Sequence, residues 1–166
     1  MWCNISVYVA SYLHAHDDEI TLQSVAPIFT MFAVAHGFTN PVGPFLLGRM
    51  SARWVLTLGC AIALVGVTGS SFTTSLWGFA LTFTLTFGLG IGMCYTIVLI
   101  LGWEHYPERK GMVSGLVVGG FGFGSFMFGF VALAIVNPED KEPDLATLGG
   151  KLFTDPDIVA RVPWML

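Results

Sequence analysis

Between Leu76 and Val136 the chain passes through two apolar stretches of membrane-crossing length, and the strongly polar residues between them are packed into WEHYPERK, residues 103–110. This leaves few ways to fold. A helix needs roughly 20 apolar residues to cross ~30 Å of hydrocarbon, and in lipid each backbone N–H and C=O must be satisfied within the segment. The expected structure is a membrane hairpin. Pro107 ends the first helix because it has no amide hydrogen to continue the ladder, and Arg109 and Lys110 at the mouth of the second place the turn on the cytoplasmic side. Gly111, Gly115 and Gly119 recur every four residues, with Gly120 and Gly124 a second such pair. One side of the helix from 112 to 136 therefore carries almost no side chain, which lets another helix lie close against it.

Composition supports a lipid environment. Apolar residues make up 54% of the chain and charged residues 11%, against about a quarter charged in a soluble domain. The net charge of −4 comes from loops and the tail, which makes nucleic acid an unlikely partner. Cys3, Cys60 and Cys94 are odd in number, far apart and inside apolar runs; they form no disulfide framework and no C-x-x-C site and read as small packing residues.

In chain order, Trp2 to Leu13 is apolar and aromatic but too short to cross a bilayer, so the expectation is that the chain starts within a helix. Asn4-Ile5-Ser6 fits a glycosylation sequon but should lie in lipid. His14, His16, Asp17, Asp18 and Glu19 have metal-ligand chemistry but share one short loop with no scaffold; a solvated loop is expected and no metal. With no Lys or Arg, it belongs on the non-cytoplasmic side. The second span, 20–47, contains His36, the one titratable side chain well inside any expected span, with Asn40 one turn later on the same face. Pro41 and Pro44 free the carbonyls of Gly37 and Asn40, so the cytoplasmic half should be kinked or widened. Two readings of His36 stand: a functional group at membrane depth, or a neutral packing histidine. The third span, 54–70, has small residues at Gly59, Ala63, Gly66 and Gly69, read as packing. The fourth, 76–103, holds Gly88, Gly90 and Gly92, which lack nucleotide-loop spacing, and Tyr95, whose buried hydroxyl needs either a cavity or a structural partner. The fifth is 112–136. Residues 137–166, with six acidic and three basic side chains, form an aqueous, non-cytoplasmic segment that leads towards a further helix.

The hairpin also resembles a known family. Tyr106, Arg109 and Lys110, Ser114 and Gly115, Gly119 and Gly120, and Gly124 are similar to the junction of helices four and five in the major facilitator superfamily, within it the monocarboxylate and oxalate/formate group. Residues 43–53, GPFLLGRMSAR, resemble the loop between helices two and three: Arg49 and Arg53 are kept, while Gly48 stands at the acidic position and Ser51 at the second glycine. The resemblance implies an all-α multi-pass transmembrane bundle, 1–136, forming the larger part of one six-helix half of that fold. It implies that Trp2, Asn4, Tyr8 and Tyr95 line the central cavity, and that basic groups for a carboxylate come from a C-terminal half outside this chain.

On that basis the expected function is secondary transport of a small organic anion across a lipid bilayer by alternating access, with a coupled proton or counter-anion and no cofactor. His36, Asn40 and Tyr95, with Trp2 and Asn4, are the expected substrate contacts. Two other classes were weighed: a membrane subunit that binds partner helices without moving solute, and a membrane-embedded enzyme. The last needs a nucleophile and base within reach, and the spans offer only His36 beside amide and hydroxyl groups.

Overall fold

Each long apolar run is helical, and Pro41 and Pro107 stand at two of the places where the helices break. The computed structural model describes residues 2–147 and 150–165, with side chains from Ile5 onward. Its helices are α1 (Trp2–His14), α2 (Leu22–Thr39), α3 (Val42–Leu47), α4 (Ala52–Ser71), α5 (Leu76–Leu81), α6 (Gly88–His105), α7 (Lys110–Val136) and α8 (Pro156–Met165). A π-helical turn, Thr82–Phe87, joins α5 to α6 without a break. Three helical stretches are long and apolar enough to cross a membrane: Ala52–Ser71, Leu76–His105 and Pro107–Val136.

The expected second span is divided. Asn40 (φ −51°, ψ −41°) and Pro41 (φ −74°, ψ −17°) keep helical backbone angles, but the hydrogen-bond ladder is interrupted there because Pro41 cannot donate. Thr39 lies at the break, its Oγ1 2.9 Å from the Ala35 carbonyl and 3.1 Å from that of His36. At the start of α2 the Thr21 amide donates to Ser24 Oγ (3.4 Å), giving an otherwise orphaned N–H a partner.

α4 and α6 run antiparallel. Val55 packs with Met93 and Ile97, and Gly66 lies against Thr86 and Phe87. The loop carrying Arg49 and Arg53 therefore lies at the same end of the bundle as the α6–α7 turn carrying Arg109 and Lys110. At the opposite end, Leu13, Ile20, Phe79 and Leu152 share one buried cluster, which gathers the 14–21 loop and the acidic tail.

That tail is more ordered than its composition implies. It folds back as a two-stranded antiparallel hairpin, β1 (Leu145–Thr147) with β2 (Gly150–Leu152). Leu152 is fully buried. Phe153 stacks on Tyr8 with ring centroids 5.0 Å apart, and its amide donates to Ser11 Oγ at 2.9 Å. Lys141 Nζ bridges Asp155 Oδ2 (2.6 Å) and Glu139 Oε2 (3.0 Å); its hydrogen bond holds the Asp155 carboxyl below the usual carboxylate range. α8 then lays Ile158 and Val162 against Tyr8 and Val136.

Candidate functional site: an aromatic cavity with one histidine

A cavity of about 480 Å³ opens between α2, α6 and α7, with Ile5 of α1 and Met165 of α8 closing one side. Its wall follows from helical spacing. Phe32 and His36 are four apart on α2, Phe83 and Phe87 are four apart on the π turn, and side chains so spaced share a face. The rings form one cluster, with Phe32 to Phe87 at 5.6 Å and Phe83 to Phe87 at 5.1 Å.

Polar chemistry is concentrated at one point. The His36 ring meets Tyr95 edge-on, with centroids 5.7 Å apart and 62° between planes. Tyr95 in turn meets Phe121 of α7 at 5.4 Å and 65°. Ser125, one turn further along α7, adds a hydroxyl to the lining. Among the described residues, neither the His36 imidazole nor the Tyr95 hydroxyl has a hydrogen-bond partner, and no Lys or Arg lines the cavity. Such a wall offers an apolar ligand surface, aromatic edges, an imidazole and two hydroxyls. It has no fixed countercharge.

The expected site residues are distributed unevenly. His36 and Tyr95 come together. Asn40 does not join them: its Oδ1 accepts from Thr96 Oγ1 at 3.4 Å, so it ties α6 to the α2–α3 break instead of lining the cavity. The side chains of Trp2 and Asn4 lie outside the described residues. Phe32, Phe83, Phe87, Phe121 and Ser125 were not singled out from the sequence, although the Phe29, Phe32, His36 spacing marks a single helical stripe.

Arg49, Arg53, Arg109 and Lys110 are all exposed. Arg49 sits over the Phe45 ring at 4.2 Å, a cation–π contact. The ion pairs among the described residues both belong to Lys141. In the α6–α7 turn, Trp103 Nε1 donates to Ser114 Oγ at 3.0 Å. Beyond it, Gly111, Gly115, Gly119, Gly120 and Gly124 have nothing within 4 Å of where a Cβ would stand, so this face of α7 is open. In the 14–21 loop the His14 ring nitrogen is taken up by the Ile20 carbonyl at 2.7 Å. The α4–α6 crossing brings Cys60 and Cys94, both free thiols, to 3.9 Å between sulfurs.

The Major Facilitator Superfamily model matches residues 2–138. The chain belongs to the major facilitator superfamily. Within it, this chain is 33% identical over 110 residues to monocarboxylate transporter 12-B of Danio rerio, covering 66% of this chain and 23% of that protein. It is 28% identical to apicoplast pyruvate carrier 1 of Toxoplasma gondii, covering 87% of this chain and 33% of the carrier. It is also 28% identical to the oxalate:formate antiporter of Oxalobacter formigenes, covering 66% and 26% respectively. The chain thus spans about a quarter to a third of the length of the curated relatives it matches. No solved structure matches it. Family membership and the membrane-length helices make this major facilitator chain an integral, multi-pass membrane protein.

Proposed function

We propose that this chain supplies part of the N-terminal six-helix half of a secondary transporter that moves a small carboxylate by alternating access. His36 and Tyr95 contact the anion, and a C-terminal half carries its main countercharge. The observation that carries the reading is the cavity itself, where, among the described residues, an imidazole and a phenol without hydrogen-bond partners face an aromatic wall that lacks any cation. An unpaired carboxylate in such surroundings costs several kcal/mol or more. The cation must therefore come from elsewhere, and the relatives are three to four times longer than the part they share with this chain. His36 supplies a portion of the charge when it is protonated, and is a poor sole anchor for the anion. Rocking of two halves about a midplane site gives the open α7 face its role as the surface that meets the second half. In this reading Arg49, Arg53, Arg109 and Lys110 lie in the cytoplasm.

Uptake of a radiolabelled monocarboxylate by the reconstituted full-length protein tests the proposal. His36→Ala and Tyr95→Phe should each lower affinity or rate about tenfold or more, the loss of roughly one charge-assisted or buried hydrogen bond. Wild-type affinity and rate in both variants would make these residues structural. The open α7 glycine face also favours a second reading, a subunit that binds partner helices without moving solute. Full-length protein that forms a stable helical complex yet moves no carboxylate would select it.

A further inference from the structure

Two sulfurs from separate helices meet where α4 and α6 cross most closely. Cys60 Sγ and Cys94 Sγ are 3.9 Å apart, and Cys94 Sγ also rests 3.7 Å from the Leu56 carbonyl, against the α4 backbone. One residue away, a Cβ on Gly59 would stand 2.6 Å from Cys94 Sγ and 3.0 Å from the Gly90 carbonyl oxygen, so the two backbones are nearly in contact here. A disulfide needs about 2.05 Å between sulfurs and Cα atoms within roughly 7 Å. With the sulfurs already 3.9 Å apart, bond formation requires the two side chains to draw together. Cys60 is exposed on the outside of the bundle while Cys94 is half-buried, so one thiol is reachable from the bilayer and the other waits behind it.

We infer that Cys60 and Cys94 form an oxidisable dithiol that takes an organic hydroperoxide from the lipid phase and closes into a disulfide clasp between α4 and α6. The Cys60 sulfur takes the terminal hydroxyl of the hydroperoxide and its proton passes to the departing oxygen, leaving a sulfenic acid and an alcohol. The Cys94 sulfur then bonds to the Cys60 sulfur, and the hydroxyl leaves with the Cys94 proton as water. The two thiols give up two electrons and the peroxide bond accepts them. Every product is neutral, which suits a site where an ion without a partner is costly. The inference is independent of which solute is carried.

The chain contains three cysteines, Cys3 being the other. In bilayer vesicles treated with tert-butyl hydroperoxide, then denatured and labelled with a large maleimide, the chain should fall from three labels to one. Dithiothreitol should restore three, and mass spectrometry should find a peptide linking Cys60 to Cys94. Cys60→Ser should keep both of its remaining thiols labelled after the same treatment. Retention of three labels by the wild type, a link that includes Cys3, or a loss that dithiothreitol does not reverse would each overturn the inference.

Discussion

Two sets of glycines in this molecule have opposite surroundings. Those on α3, α4 and α6 are spent on contact: a Cβ at Gly90 would stand 2.6 Å from the Ala63 amide nitrogen, one at Gly92 2.7 Å from the His36 carbonyl, and one at Gly43 2.6 Å from the Met93 carbonyl. On α7, Gly111, Gly115, Gly119, Gly120, Gly122 and Gly124 have nothing within 4 Å of where a Cβ would stand. Small-residue spacing therefore marks where a helix is able to be approached, and a neighbour must supply the approach. In the first set the neighbour lies within this chain. In the second, under the proposed function, it belongs to the C-terminal half.

The sharpest way to break this contrast is leucine substitution on each side. Gly90→Leu forces α4 and α6 apart and should cost about 3 kcal/mol, read as a loss of folded protein in detergent unfolding titrations. Trp103→Phe probes the place where contact gives way to open surface, removing the bond to Ser114 that ties α7 to α6; about 1 kcal/mol should be lost. Gly119→Leu should change the stability of the chain by no more than about 0.5 kcal/mol, because leucine is welcome in lipid, while abolishing uptake by the full-length transporter. If Gly119→Leu destabilises the chain as much as Gly90→Leu does, the two sets are equivalent and the contrast fails.

What the sequence disclosed follows the range of the physics involved. The break at Asn40–Pro41 and the turn at Pro107 were legible because proline acts on its own backbone. His36 and Tyr95 were legible singly, as polar groups in apolar runs, but their meeting depends on how α2 crosses α6. Cys60 and Cys94 are 34 positions apart and become neighbours only through that same kind of crossing. Asn40 shares the His36 face by helical spacing, yet its amide oxygen is taken up by Thr96 of α6. The hairpin at 145–152 was hidden by the acidic residues around it, although Leu152 and Phe153, apolar in a polar stretch, were the available signal. The π turn left no trace, since TFTLTF reads as ordinary apolar helix.

That turn acts as a phase shifter. A π bulge accommodates one extra residue within a helix, and one residue corresponds to roughly 100° of rotation about the axis. Everything downstream of Phe87 on this rod is set by that offset, including the glycines that face α4 and the tyrosine that faces His36. Deleting a single residue between Thr82 and Phe87 would leave composition, length and hydropathy almost unchanged, yet it would turn Tyr95 out of the cavity and present side chains to α4 where it now meets Gly90. The chemistry proposed for the wall thus depends on a one-residue irregularity within the wall itself, two turns before Tyr95.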